Sequence, residues 1–301
     1  MRASSGELAV SVIVATKDRP EMLGRCVDSL LACRHDSFDV IIVDQSERAA
    51  VLPDDARIVH LHTPTTGKSA GLNLGLTAAR GAVFAFTDDD CTVPEDWLAK
   101  GTTVLTRHPE VDIVFGDLEP IEHDVTAVFI PSASFGRLQV VSTPRRAYVR
   151  GGAGANMFAR REMFDRIGRY DELIGPGSAF VACEEYDIYF RALVAGSAVA
   201  FTPDVVTIHW GSRPYADGSG RMLKRMYAYG EGAVIGKHLR LGDLRMLPVL
   251  AHITLEDLTV AARSIVRSRR LAGVGTMAYK WRGLMVALFT SVDCRERVFV
   301  G

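Results

Sequence analysis

The sequence predicts an α/β fold with a mostly parallel central sheet, and two observations indicate it. Over roughly the first 120 residues, short apolar runs alternate with segments in which apolar residues recur every three to four positions. The apolar runs show no polar alternation, which is typical of strands that are covered by helices on both faces. Strands and helices in alternation favour βαβ units and hence a parallel sheet.

The predicted elements follow one another along the chain. The first strand, residues 10–15, is followed by a helix that begins near Pro20, with Asp18 as its candidate N-cap. Residues 120–155 are expected to be irregular, and the chain beyond residue 220 is expected to be helical. The other expected strands are 38–43, 57–62, 82–86 and 111–115, with further apolar runs at 199–201 and 205–208, and the other expected helices are 68–79, 95–106, 161–167 and 184–195.

Composition and charge narrow the function classes. The chain has 301 residues, of which 48% are hydrophobic and 24% charged, as in ordinary folded proteins. Its net charge of −1 gives no general attraction to nucleic acid, so no nucleic-acid partner is expected. From Arg221 onward there are 14 Lys/Arg and 6 Asp/Glu, a net of +8, which leaves −9 for residues 1–220. An acidic body and a basic C-terminal part predict two different surfaces.

The cysteines and the chain start indicate a cytoplasmic protein. Five cysteines without a C-x-x-C pair form neither a disulfide framework nor a zinc site, and they favour a reducing compartment. The first residues lack the apolar core and cleavage site of a secretory signal. No apolar stretch reaches the ~18–20 residues that span a bilayer.

Three consecutive aspartates, Asp88 to Asp90, follow the strand 82–86 directly. In open α/β sheets ligands bind at the carboxyl ends of the strands. Adjacent carboxylates repel one another, and a divalent cation such as Mg²⁺ or Mn²⁺ relieves that repulsion. The alternative is a solvated acidic turn before the next helix, with Asp90 or Thr92 as a cap.

Polar residues at other strand ends are expected to face the same crevice. These are Thr16 to Asp18 after the first strand and Asp44 after the second. No G-x-G-x-x-G or P-loop motif is present, so those nucleotide sites are disfavoured. Asp44 could still accept from a base or ribose, and Lys68 at a helix start could add positive charge near phosphates. Asp44 is otherwise a turn residue and Lys68 an exposed surface lysine.

A second acidic group, Glu184 and Glu185, opens a later helix. One of them could be a general base whose pKa is raised by an apolar neighbourhood, or both could serve only the helix dipole. On the same helix, Asp187 and Arg191 are spaced as an i, i+4 ion pair. His209 follows an apolar run. It could be either a packed, hydrogen-bonded histidine or a metal ligand.

Two further features are candidates for ligand contacts. The segment GGAGAN, which contains Gly152 and ends at Asn156, would allow a ligand to approach the backbone closely, or it forms a tight turn. Trp210 would either pack in the core or stack on a sugar.

Taken together, these segments resemble family 2 glycosyltransferases with a GT-A fold, which is Rossmann-like. The resemblance implies an inverting, metal-dependent transfer of a sugar from a nucleoside diphosphate sugar, with a UDP-sugar favoured, to an acceptor hydroxyl. The resemblance covers about residues 9–212 and rests on VSVIVATKDRPEMLGRCVDSLLA, DVIIVDQSE, GKSAGLNLGLTAARGAVFAFTDDDCTVPEDWL, GGAGANMFARREMFDRIGRYDE, EEYDIYFRAL and IHWGSR.

The resemblance implies where the metal would bind. Asp88 and Asp90 match the outer positions of the D-x-D motif, whose last aspartate typically binds Mn²⁺ or Mg²⁺ on the donor diphosphate. His209 lies where many GT-A enzymes supply a further metal ligand. Asp89 is grouped with the nucleotide-sugar contacts, although no particular role is assigned to it.

The resemblance also implies roles around the metal. Asp44 matches the residue that contacts the nucleoside, and Thr16 and Asp18 match the wall of the base pocket. Glu185 matches the usual catalytic base, with a side chain one methylene longer than the common aspartate, so Glu184 stays a second candidate.

The acceptor is expected to contact the second half of the domain. Residues 120–155 and the glycine-rich segment, with Gly152 and Asn156, are the candidates for an acceptor loop, together with Trp210. Trp97, which follows the D-x-D motif, is expected to pack rather than to take part in chemistry. A glycan or a lipid-linked acceptor of bacterial surface polysaccharide synthesis is implied by the family.

The domain organisation follows. Residues 1–220 are expected to form the GT-A domain, with a donor half of about 1–119 and an acceptor half of about 120–220. Residues 221–301 form a basic helical extension. Its basic amphipathic helices could lie on the cytoplasmic face of a membrane, cap the catalytic domain, or contact a second subunit.

Two other function classes remain open on the sequence. A sugar-nucleotide nucleotidyltransferase would need a glycine-rich basic loop after the first strand, where this chain has TKDRP. A non-catalytic nucleotide-sugar or glycan-binding module would be favoured by loss of the D-x-D motif or of the base, and both positions are acidic here.

Overall fold

A nine-stranded sheet lies at the centre of the computed structural model, which describes residues 8–268 and 274–301. In chain order the strands are β1 (Val10–Thr16), β2 (Phe38–Asp44), β3 (Ile58–His62), β4 (Val83–Phe86), β5 (Cys91–Thr92), β6 (Val111–Pro120), β7 (Val128–Phe129), β8 (Gln139–Val141), β9 (Met157–Arg160), β10 (Ala198–His209), β11 (Arg213–Pro214), β12 (Val292–Asp293) and β13 (Val298–Phe299).

Helices cover both faces of this sheet and form the C-terminal part. They are α1 (Pro20–Leu31), α2 (Lys68–Ala78), α3 (Trp97–Arg107), α4 (Pro144–Arg150), α5 (Arg161–Ile167), α6 (Glu184–Val194), α7 (Ser219–Arg240), α8 (Leu247–Ser268) and α9 (Val274–Phe289), with short 3₁₀ turns at Gly154–Asn156 and Leu244–Met246.

The strand order of the main sheet is β3-β2-β1-β4-β9-β6-β10-β5, and β8 pairs with β10. Strands β3, β2, β1 and β4 run parallel, as do β6 and β10. Strand β9 is antiparallel to both β4 and β6 and separates the two parallel groups. The predicted α/β fold with a mostly parallel sheet is confirmed.

Two apolar cores lie on opposite faces of the sheet. On one face α1 and α3 pack through Leu23, Val27 and Leu105. On the other face α2, α5 and α6 pack with residues of α7 to α9, such as Ile235 and Ala287. The helices alternate between faces because the parallel strands need crossover connections on both sides.

One local expectation was wrong, and two apolar runs proved to be parts of one strand. Residues 120–155 are not uniformly irregular, since they contain β7, β8 and α4. The apolar runs at 199–201 and 205–208 form one strand, β10, whose register against β6 shifts between Thr202 and Val206. Pro203 lies at that shift, where a residue without an N–H is tolerated in a sheet.

The C-terminal helices pack tightly against one another and against the preceding part of the chain. A Cβ on Gly232 of α7 would collide with the Lys280 carbonyl of α9, and a Cβ on Gly283 of α9 would collide with the Tyr229 carbonyl of α7. Glycine at both positions therefore lets the two backbones touch.

A buried ion-pair network fixes α7 to α6. Lys237 Nζ lies 2.8 Å from Asp171 Oδ2 and 2.6 Å from Asp187 Oδ1, and all three side chains are inaccessible to solvent. Asp187 also accepts from Arg191 Nε at 3.0 Å, as the i, i+4 spacing predicted. Among the described helices, none combines the length and hydropathy needed to cross a membrane.

Candidate active site

Three strand ends meet at one edge of the sheet. β1 ends at Thr16, opposite Asp44 at the end of β2, and β4 ends at Phe86, level with Ile13 of β1. The aspartates that follow β4 therefore lie beside Thr16, whose hydroxyl donates to Asp89 Oδ2 at 2.7 Å. Asp89, which had no assigned role, thus faces this edge.

Arg19 lies between two of the aspartates. Its Nη1 is 3.0 Å from Asp89 Oδ1 and 3.2 Å from Asp90 Oδ2. Burial raises the pKa of Asp89 in spite of this guanidinium. Sequence reasoning missed Arg19 because TKDRP indicated only a loop before a helix, and spacing does not reveal that its side chain reaches residues some 70 positions away.

Asp90 and His209 are brought together by strand pairing. His209, the last residue of β10, is the partner of Cys91 in β5, and its Nε2 lies 3.3 Å from Asp90 Oδ1. Burial alone would raise the pKa of Asp90, but the contacts with His209 and Arg19 lower it below its usual range. Asp90 is therefore ionised at neutral pH.

These residues fit a divalent cation. One possible ligand atom from each of Asp90, Cys91 and His209 lies within 4.8 Å of the other two. Burial raises the pKa of the Cys91 thiol well above its usual range, which disfavours the thiolate form that binds metals. A carboxylate and an imidazole remain, which suit a first-row transition metal such as Mn²⁺. Within the described residues, His209 Nδ1 is buried without a hydrogen-bond partner, so a ligand or water can still bind it.

Lys68 connects the aspartates to the second acidic group. Its Nζ is 2.5 Å from Asp88 Oδ1 and 3.1 Å from Glu184 Oε1. These carboxylates raise the pKa of Lys68 well above its usual range although burial opposes it. The side chain is only 20% exposed, so Lys68 is not the surface lysine of the alternative reading.

Glu184 and Glu185 open α6 after Cys183, whose backbone is left-handed with φ of 73°. A left-handed conformation costs a non-glycine residue about 1–2 kcal/mol. This turn directs both carboxylates toward the cleft. Burial, and next the charge of Glu184, raise the pKa of Glu185 to about 8. A carboxyl group with such a pKa is suited to general base catalysis near neutral pH.

The site residues line a cleft with two compartments that share Lys68, Asp88 and His209. The outer compartment, about 630 Å³, is lined by Thr16, Arg19, Gln45, Asp89 and Asp90, among others. The inner compartment, about 400 Å³, is lined by Gly151 to Ala155, Glu184, Glu185, Tyr227 and Glu231, among others.

A protein-family model identifies the family of this chain. The model of glycosyl transferase family 2 matches residues 11–168, which include β2, β4 and all three aspartates. The chain belongs to glycosyl transferase family 2. It is therefore a glycosyltransferase.

Relatives and solved structures agree with this membership. The glycosyltransferase is 24% identical to Glycosyltransferase AglE of Haloferax volcanii over 75% of this chain and 73% of that protein. It is 26% identical to Succinoglycan biosynthesis protein ExoM of Rhizobium meliloti over 74% of each chain. The mannosyltransferase PcManGT from Pyrobaculum calidifontis, solved with GDP-Man and Mn²⁺, superposes with a TM-score of 0.58 at 16% identity, covering 95% of this chain and 88% of that one. The fold is thus GT-A, as predicted.

Two predicted nucleotide contacts of the glycosyltransferase have other partners. Asp44 is inaccessible, and its carboxylate accepts from the backbone N–H groups of Ser46 and Ala50. Burial alone would raise the pKa of Asp44, but these bonds lower it to about 2. Asp18 Oδ1 accepts from Glu47 N–H at 3.0 Å. Asp44 and Asp18 therefore shape the loops after β1 and β2 instead of lining the cleft, and Asp18 is not the N-cap of α1, since Arg19 takes that position.

Two residues predicted as acceptor contacts have partners within the fold. Asn156 is inaccessible, and its amide donates to the carbonyls of Asp117 and Val205 and accepts from Trp97 Nε1. Trp210 donates to Thr92 Oγ1 at 3.0 Å, and Arg25 lies over its ring at 5.2 Å. Their polar groups are already used within the fold. Trp97 is fully buried.

Gly152, by contrast, lies in the wall of the inner compartment. A Cβ there would come within 2.8 Å of the Phe115 ring, so only glycine lets the segment lie this close to the sheet. Helix α7 contributes Glu231 to the same compartment, where burial raises its pKa to about 7 and Tyr148 donates to it. Sequence reasoning missed Glu231 because it placed the boundary of the catalytic domain at residue 220.

Proposed function

We propose that the protein transfers a sugar from a nucleoside diphosphate sugar to a hydroxyl of a glycan or lipid-linked acceptor, with inversion at the anomeric carbon. The observation that carries this proposal is the cleft itself. Its outer compartment is lined by the aspartates and by the cationic side chains of Arg19 and Lys68. Its inner compartment is lined by Glu185, whose pKa is raised to about 8. Single displacement needs a leaving-group site and a base on opposite sides of the sugar.

The outer compartment is proposed to bind the donor. Asp90, Asp88 and His209 would hold Mn²⁺ or Mg²⁺, and the bound ion would stabilise the charge of the departing diphosphate. Arg19 and Lys68 add two fixed positive charges beside the same aspartates. Thr16 orients Asp89, and Asp89 in turn holds Arg19 toward the compartment. A uridine base is favoured for the donor, with guanosine and thymidine as alternatives.

Glu185 is proposed as the base. The acceptor oxygen attacks the anomeric carbon, and the bond from that carbon to the diphosphate oxygen breaks. The electron pair of that bond leaves with the nucleoside diphosphate, and the acceptor proton passes to the Glu185 carboxylate. Glu184 is the weaker candidate because Lys68 already holds its carboxylate at 3.1 Å.

A donor screen tests the proposal. UDP-, GDP- and dTDP-sugars would be incubated with the protein and Mn²⁺ or Mg²⁺, and released nucleoside diphosphate would be measured. Slow hydrolysis of one donor is expected even without an acceptor, since water can replace the acceptor hydroxyl. No release from any donor, in protein shown to be folded, would contradict the proposal.

The extension is proposed to touch a membrane surface through α8. Leu247, Leu255 and Leu258 are exposed on one face of this helix, and Arg263 is exposed near its end. Apolar side chains next to basic ones favour an anionic lipid surface.

Sedimentation with phosphatidylglycerol vesicles tests this contact. The pair Leu255→Glu and Leu258→Glu is expected to abolish binding. Val51→Glu is the control, because Val51 is 98% exposed on another part of the chain. Equal binding by all variants would contradict the contact.

A further inference from the structure

A second groove lies beside the catalytic cleft and carries only positive charge. It has a volume of about 530 Å³ and is lined by residues 137–141 and by α4. Its charged residues are Arg137, Arg145, Arg146 and Arg150, and none of the described residues that line it is acidic. We call it the arginine groove.

The four guanidiniums differ from other arginines of the chain in their partners. Among the residues that the structure describes, none of them forms an ion pair or a side-chain hydrogen bond, whereas Arg19, Arg160 and Arg191 all do. Arg146 and Arg150 are four residues apart on α4, a spacing at which like charges destabilise a helix. The fold therefore gains nothing from this cluster, which favours an anionic ligand.

The arginine groove adjoins the inner compartment. Arg150 lines both, and Gly151 to Ala155, which follow it directly, line the inner compartment together with Glu185. An anion bound in the groove would thus lie next to the place where the acceptor hydroxyl must reach the base. The same arrangement makes Arg150 the residue that joins the two sites.

Aliphatic side chains lie among the arginines. Leu138, Val140 and Val149 line the groove and are 38%, 38% and 49% exposed. Guanidinium groups recognise phosphate oxygens through paired hydrogen bonds. Apolar side chains beside them suit a ligand whose phosphate continues into a hydrocarbon chain.

We propose that the arginine groove binds the phosphate or diphosphate of a polyisoprenoid-linked acceptor, so that the attached sugar extends into the inner compartment. This inference rests on the proposed transfer to an acceptor hydroxyl, and it names the acceptor class. Arg145, Arg146 and Arg150 would hold the phosphate, and Leu138, Val140 and Val149 would contact the first isoprene units.

The test measures binding of farnesyl diphosphate to the full chain in EDTA, which prevents metal-dependent binding of the diphosphate at the aspartates. Wild-type protein is expected to bind it more tightly than pyrophosphate or farnesol. The double variant Arg145→Gln, Arg146→Gln is expected to bind it about tenfold to a hundredfold more weakly. The variant Arg107→Gln, at an exposed position of α3, is the control and should bind like the wild type.

Fold integrity is checked by the melting temperature, and Arg145→Lys with Arg146→Lys should restore part of the affinity. Undiminished binding by the glutamine variant would overturn the proposal, as would equally tight binding of farnesol. Pyrophosphate that binds as tightly as farnesyl diphosphate would overturn the lipid assignment. Donor hydrolysis by the wild type is measured in parallel, and its absence with every nucleotide sugar would contradict the proposed function and leave the groove result standing.

Discussion

The ammonium group of Lys68 lies 3.1 Å from the carboxylate of Glu184, although the two residues are separated by more than a hundred positions in the chain. Lys68 also contacts Asp88 at 2.5 Å, so one cation joins the edge of the sheet to the start of α6. The positive charge of Lys68 therefore belongs to both the outer and the inner compartment. Its two ion pairs hold Asp88 and Glu184 at a fixed separation.

Replacing Lys68 by methionine would leave the buried Glu184 without its counter-charge. We expect Lys68→Met to lower the free energy of unfolding by about 1.5–3 kcal/mol and to reduce transfer. Urea denaturation measures the stability. Lys100→Met is the matched control, because Lys100 pairs with Asp96 on the surface and should change stability by less than about 1 kcal/mol. If Lys68→Met and Lys100→Met lowered the free energy of unfolding equally, Lys68 would have no special structural role.

Replacing Glu185 by glutamine would remove the proposed base while preserving the size of the side chain. We expect Glu185→Gln to lower kcat about 10²- to 10⁴-fold with little change in donor affinity, as measured by kinetics and by titration with the donor. Glu110→Gln, at an exposed position beside His108, is the control. Turnover near the wild-type value in Glu185→Gln would transfer the role to Glu184 or elsewhere.

The pH dependence of transfer follows from the raised pKa of Glu185, about 8. The base must be ionised to accept a proton, so kcat/KM should rise with pH and level off above this value. The residual activity of Glu185→Gln should not show this rise of kcat/KM with pH. If kcat/KM of the wild type rose near the ordinary pKa of a glutamic acid, or did not depend on pH, this would argue against Glu185 as the base.

The network around Lys237 is expected to be the main ionic link between α7 and the catalytic half. Lys237→Met would leave Asp171 and Asp187 buried without this cation, and loss of one partner of a buried pair costs about 3–5 kcal/mol. Thermal and urea unfolding measure the loss, again with Lys100→Met as control. A loss of less than about 1 kcal/mol would show that Arg191 and His238 suffice for Asp187, and that the N–H groups of Leu173 and Phe299 suffice for Asp171.

The sequence predicted the sheet well because its signals are local. The runs that became β1, β2 and β4 are apolar on both faces, and that pattern requires helices on both sides of a sheet. The position of the aspartates after β4 likewise follows from the end of an apolar run.

Side-chain partners were less predictable because they depend on distant parts of the chain. A carboxylate such as Asp44 can bind a nucleoside or order its own loop, and only the positions of the Ser46 and Ala50 N–H groups distinguish these roles. Arg19 reaches the cleft from a loop, and Glu231 reaches it from α7. No spacing of residues in the sequence predicts either position.

The central claim is that Asp90 and His209 hold a divalent cation that is required for donor binding, and thermal stabilisation by nucleotides tests it most directly. The melting temperature would be measured with UDP, GDP or dTDP, with and without Mn²⁺ or Mg²⁺, for the wild type and for Asp90→Asn. We expect at least one nucleotide to stabilise the wild type only when metal is present, and to leave Asp90→Asn unchanged. Equal stabilisation without metal, or in Asp90→Asn, would contradict the account.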